Sequence, residues 1–283
     1  MRERPVVLQE TTGKLNVMSV TLRRLHAPHD RTIAFFYLQK NAVDDLRVFV
    51  RFSRDECRTF SEPILVTSQD GYHVMNNDRV TQLSTGRLLV PLASTSNVST
   101  VNHFVSRCWI SDDAGKSWRP GKGQVDLPKR GAMEPEIVEL RDGRLLMITR
   151  TQLGYIAASY SEDGGDSWSN PRPLGNLQAP EAPATIRRIP STGDLLLVWN
   201  NVFKDGAGHG GRRTPLTAAI STDDGQTWQH VRNLETDETR TFSYVSVLFS
   251  QGKAHLSYWD NIGRSYSTRH RAVPISWFYE NTQ

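Results

Sequence analysis

Apolar residues in this chain gather in short runs, some alternating with polar residues and some nearly continuous, and no stretch keeps the three-to-four spacing of an amphipathic helix. Arg47-Val48-Phe49-Val50-Arg51-Phe52 alternates, as a strand with one wet face does. Thr32-Ile33-Ala34-Phe35-Phe36-Tyr37-Leu38 and Asp194-Leu195-Leu196-Leu197-Val198-Trp199 are apolar almost throughout, as strands buried on both faces are. The order of these runs repeats. An inner strand comes first (Asn16–Leu22, Arg79–Leu83, Glu136–Leu140, Ala184–Ile189, Tyr244–Phe249), followed by a turn with Gly or Asp and a very apolar second strand. A third strand and a short tail strand complete each unit. The pattern predicts an all-β chain of four-stranded units, five of them in full.

Most third strands run into the same octapeptide. Ser161-Glu162-Asp163-Gly164-Gly165-Asp166-Ser167-Trp168 recurs at Ser111–Trp118 and Ser221–Trp228, and Ser53–Phe60 is a worn copy with Cys57 for Gly and Phe60 for Trp. The copies begin 58, 50 and 60 residues apart, a period that points to stacked supersecondary units. The chemistry is that of a turn: Asp accepts backbone N–H groups, Gly takes a positive φ, and Trp anchors the turn in an apolar seam.

The octapeptide resembles the Asp-box, or BNR repeat, of the sialidase-like β-propellers. The resemblance implies a single propeller domain over residues 1–283, of the six-bladed type with its first blade incomplete. Residues 1–12 would be the remnant of that blade, with further blades at 13–70, 71–130, 131–179, 180–240 and 241–283. In that family the boxes lie away from the active centre, so their aspartates are expected to be structural. An open blade edge predicts self-association.

Composition narrows the function classes. Hydrophobic residues make up 37% and charged ones 23%, a globular balance. No run is long enough for a membrane span, and Met1-Arg2-Glu3-Arg4-Pro5 opens no signal-peptide core; a native N-terminus would place the protein in the cytoplasm. Cys57 and Cys108 have no metal-ligand spacing and read as buried thiols. The net charge of +4 is scattered, which disfavours nucleic acid, but 27 of the 34 basic residues are Arg, the side chain suited to gripping carboxylates. A glycan ligand, anionic in character, fits these features, and neither a metal nor a cofactor is expected.

The mouths of the inner strands and neighbouring loops carry the polar residues of interest. By resemblance Tyr244 stands where sialidases have their nucleophilic tyrosine and Glu181 where they have its base, with Asp78 as general acid. Sialic acid carries a carboxylate at its anomeric carbon, which would repel a carboxylate nucleophile; a phenol avoids that repulsion. Arg79, Arg150 and Arg213 are the candidate carboxylate clamp, with Glu134 and Asn200 as further substrate contacts. The implied activity is retaining exo-hydrolysis of a terminal acidic sugar such as sialic acid. The alternatives are glycan binding without catalysis and attack on another acidic polysaccharide. One departure stands out: the Arg-Ile-Pro that sialidases carry in their first blade has no counterpart there, and Arg188-Ile189-Pro190 reads as a turn.

Overall fold

The structure, a computed structural model, describes residues 7–27 and 31–280. Strands build successive antiparallel units. The first comprises β1 (Asn16–Arg24), β2 (Ile33–Lys40), β3 (Asp45–Ser53) and β4 (Ile64–Leu65). In the second, β5 (Gly71–Val74) and β6 (Thr81–Gln82) both pair with β7 (Leu88–Thr95), followed by β8 (Val105–Ser111) and β9 (Arg119–Pro120). A short parallel pairing of β3 with β5 fuses these two units into one nine-stranded sheet. The third holds β10 (Met133–Glu139), β11 (Leu145–Arg150), β12 (Tyr155–Ser161) and β13 (Arg172–Gln178), and the fourth β14 (Thr185–Arg188), β15 (Leu195–Asn200), β16 (Leu216–Ser221) and β17 (Gln229–Glu235).

The last unit departs from the expected four strands. It has β18 (Thr241–Ser250), β19 (Lys253–Ile262) and β20 (Ser265–Pro274), after which Ile275–Tyr279 coils into a 3-10 turn. Phe278 buries itself beside the fourth unit, and Arg232 stacks on Trp277 at 4.0 Å, so packing rather than strand pairing closes this end. At the other end, residues 1–6 of the expected blade remnant lie outside the described residues, and residues 7–12 form no strand. Arg51 reaches Gln9, and Thr12 donates to Gln39, which lays this segment against the first unit.

The second strands explain their own apolar runs. Leu195 and Leu197 of β15 pack toward the third unit with Leu146 and Ile148, while Leu196 and Val198 pack toward the fifth with Leu256 and Tyr258. The residues that alternate along one strand thus serve two different sheet-to-sheet cores, and no polar face remains. Together the stacked sheets form a β-propeller-like fold.

The boxes do the structural work expected of them. Asp163 accepts from the Ser167 N–H at 2.9 Å, from the Ser167 and Ser161 hydroxyls, and from the Asp166 N–H at 3.0 Å. Asp55, Asp113 and Asp223 repeat the arrangement. Gly115, Gly165 and Gly225 take φ of 83°, 92° and 88° at the equivalent turn position. In the worn box Cys57 takes φ 64° there, a conformation that costs a side-chain-bearing residue roughly 1–3 kcal/mol. Cys57 is also half-buried rather than buried, whereas Cys108 is fully enclosed.

Candidate active centre

Four of the five inner strands, all but β14, share an irregularity that the sequence pattern does not reveal. Pairing slips between Met18 and Thr21 in β1, between Met133 and Glu136 in β10, and between Ser243 and Ser246 in β18, while in the second unit residues 75–80 interrupt the inner strand. At these points Ser19, Glu134, Tyr244 and Asp78 adopt φ of 54°, 44°, 60° and 57°. A bulge re-aims the side chain it carries, and left-handed backbone at non-glycine residues clusters where structure serves function. Each bulged residue lies near the centre, where the inner strands converge.

The centre holds two adjoining clusters. One is an ion network that joins all five units. The Arg79 side chain is 0% exposed; it donates to Glu136, to Thr185 Oγ1 at 3.1 Å and to the Ala184 carbonyl at 3.0 Å. Glu136 also pairs with Arg187 and accepts the Ile186 N–H at 3.1 Å. Asp78 pairs with Arg23 at 2.8 Å and Arg187 at 3.1 Å and accepts from Ser246 Oγ at 2.7 Å. Burial pushes the Arg79 and Arg187 guanidinium groups down to about 10, still charged at neutral pH. Burial alone would raise the Asp78 carboxyl, but Arg187 and Arg23 outweigh it and hold it below its usual range.

The other cluster surrounds Tyr244. Arg150 pairs with Glu134 at 2.7 Å and with Glu181 at 3.2 Å. Glu181 also pairs with Arg130 and accepts from Gln152 at 2.6 Å. The Arg213 guanidinium stands 5.8 Å from the centre of the Tyr244 ring, and Trp259 packs on the ring at 5.2 Å. The neighbouring Glu134 charge raises the Tyr244 phenol above its ordinary range and burial adds to this, opposed by Arg150 and Arg213. Beside Tyr244 opens a cavity of about 270 Å³ lined by Met18, Ser19, Asn76, Glu134 and Trp259. Asn76 is buried there, and its side-chain nitrogen has no partner.

The geometry brings Tyr244, Glu134, Arg150, Arg213 and Glu181 together and ties Asp78 and Arg79 into the adjoining ion network. Asn200 is 2% exposed and spends its amide on the carbonyls of Arg213, Pro215 and Phe242, so it positions the Arg213 segment from behind. Pro190 opens the turn after β14, where Arg188 pairs with Asp224. Arg130, Gln152, Trp259 and His209 were not legible as site residues; only His209 had a signal, a lone imidazole within the glycine-rich run Lys204–Gly211. Among the described residues, no three His, Cys, Asp or Glu side chains converge as a metal site, and no helix is long and apolar enough to cross a membrane.

These carboxylates tie stability to pH. Despite burial, which raises it, Glu181 is drawn down to about 2 by His209, Arg150, Gln152 and Arg130. A depressed carboxylate stabilises the fold above its unfolded pKa and loses that contribution as pH falls through the folded value. Denaturant midpoints should therefore fall between about pH 4.5 and 2, and Glu181→Gln should flatten part of that slope.

Units of antiparallel strands, turned by aspartate boxes and converging on a tyrosine, carboxylates and arginines, define a protein of the sialidase-like β-propeller class. The chain belongs to the BNR repeat-like domain family, whose model matches residues 5–256. It is 34% identical over 136 residues to the anhydrosialidase of Macrobdella decora, a match covering 45% of this chain but 17% of that protein. In structure it is similar to a Dyadobacter fermentans protein of unknown function, with a TM-score of 0.72 and 19% identity over 92% of this chain and 77% of that one. It also resembles a leech intramolecular trans-sialidase solved with 2,7-anhydro-Neu5Ac, with a TM-score of 0.66 and 23% identity, covering 83% of this chain and 37% of that one. The chain thus spans well under half the length of both the anhydrosialidase and the leech trans-sialidase.

Proposed function

We propose that this chain is a sialidase-like exo-glycoside hydrolase that removes a terminal acidic sugar such as sialic acid with retention of configuration. The observation that carries the reading is Tyr244 on its bulge, in the field of Glu134 and flanked by Arg150 and Arg213. Arg150 and Arg213 would hold the substrate carboxylate and set the anomeric carbon against the phenol. A raised phenol pKa means that Tyr244 attacks as its proton leaves, and the carboxylate whose charge acts on it most is Glu134. This assignment moves the base from Glu181 to Glu134; Glu181 holds Arg150 in place. Asp78 and Arg79, tied into the adjoining ion network, brace the centre instead of touching the sugar.

The same reading takes the sheets as a six-bladed-type propeller with its first blade incomplete. Arg23 of β1 and Ser246 of β18 both reach Asp78, which supports a closed centre. Exposed Leu248, Trp259 and Tyr266 on the last unit offer a face through which copies would associate. A second reading, glycan binding without turnover, is favoured by the ionised state of Asp78, Glu134 and Glu181, none of which keeps a proton for a leaving group.

Incubating the protein with an aryl α-sialoside separates the two. Release of the phenol supports the hydrolase, and its sugar product, free or anhydro, shows whether the reaction ends on water or within the sugar. A folded protein that binds sialic acid and releases nothing supports the binding reading.

A further inference from the structure

Cleaving a sugar from an unactivated hydroxyl requires a proton donor, because an alkoxide is a poor leaving group. The four central carboxylates are bound to arginines: Asp78 to Arg23 and Arg187, Glu134 to Arg150, Glu136 to Arg79 and Arg187, and Glu181 to Arg130 and Arg150. One further proton-exchanging side chain reaches this cluster. His209 rides on the loop Lys204–Gly211 between β15 and β16, within the 3-10 turn Gly208–Gly210. Gly206 and Gly208 bend that loop at φ of 75° and 54°. Its Nδ1 lies 2.5 Å from an Arg150 nitrogen and 3.7 Å from Glu181 Oε1, while 65% of its side chain is open to solvent.

In this pose Nδ1 faces an Arg150 N–H on one side and Glu181 Oε1 on the other. A ligand carboxylate that reaches Arg150 competes for the same N–H. Nδ1 is then left beside Glu181, and histidine is the side chain suited to exchanging a proton in the neutral range. The other charged groups facing this place are Arg130, before β10, and Lys129, Lys204 and Arg212, which line an adjoining cavity of about 230 Å³.

We propose that His209 is the catalytic acid and base of the centre, an inference that rests on the hydrolase reading. As Tyr244 Oη bonds to the anomeric carbon, the bond from that carbon to the leaving oxygen breaks. The phenolic proton passes to Glu134, and the imidazolium proton passes to the leaving oxygen. In the second half neutral His209 takes a proton from a water whose oxygen bonds to the anomeric carbon. The carbon–Oη bond breaks, Glu134 returns its proton to Tyr244, and the imidazolium is restored.

The test compares the parent with His209→Ala on two substrates, sialyllactose and an aryl α-sialoside whose phenol leaves without help. The expected result is a loss of a hundredfold or more on sialyllactose, less than tenfold on the aryl substrate, and a flattened alkaline limb in the sialyllactose pH profile. An equal loss on both substrates, or no loss on either, overturns the acid role while the hydrolase reading stands. A parent inactive on both removes the hydrolase reading and the acid role with it.

Discussion

Tyr244→Phe is expected to lower kcat on an aryl α-sialoside by about a thousandfold or more, some 4 kcal/mol of transition-state stabilisation, with little change in KM. The ring remains, so the packing on Trp259 at 5.2 Å and the Arg213 contact persist and the fold is kept. What disappears is the oxygen that forms the covalent bond. Glu134→Gln should cost nearly as much, and the double variant little more than either single one, because the two residues act as one unit. Glu181→Gln should act through the placement of Arg150 and so raise KM more than it lowers kcat. If Glu181→Gln abolished turnover while Glu134→Gln left it intact, the base would belong to Glu181.

The largest expected effect on stability lies in the adjoining ion network, at the buried Arg79–Glu136 pair. Glu136→Ala should destabilise the protein by about 3–5 kcal/mol, because it leaves Arg79 and Arg187 without their shared carboxylate in a buried site. Urea unfolding midpoints measure it. Replacing Arg79 and Glu136 together by apolar residues of similar volume should cost much less, since no charge is then stranded. A loss below about 1 kcal/mol for Glu136→Ala would mean that water reaches the network.

Much of the fold was legible because it rests on local chemistry. The Asp boxes state their turns residue by residue, and the apolar runs of β7, β11 and β15 state that these strands are covered on both sides. The last unit was misjudged because Val273-Pro274-Ile275 keeps a strand-like pattern, while the burial of Phe278 and Trp277 is a tertiary matter. The site was legible in part. Tyr244, Glu134, Arg150 and Arg213 stood at strand mouths and converge. Whether Asp78 and Arg79 join the Tyr244 cluster or the adjoining ion network depends on partners some 57 to 168 residues away, such as Glu136 and Ser246. No spacing in the sequence encodes that choice. The bulges at Ser19, Asp78, Glu134 and Tyr244 were equally silent, since none of these residues is a glycine that would mark a positive φ.

The central claim is that Tyr244 bonds to the sugar. A sialyl fluoride bearing a second fluorine beside the anomeric centre tests it directly: the fluoride leaves readily, while the electron-withdrawing neighbour slows hydrolysis of the intermediate. Mass spectrometry of the treated protein should show one added sugar on the peptide containing Tyr244, and none in Tyr244→Phe. A protein that turns over aryl sialoside yet acquires no adduct, or carries it on another residue, would contradict the account.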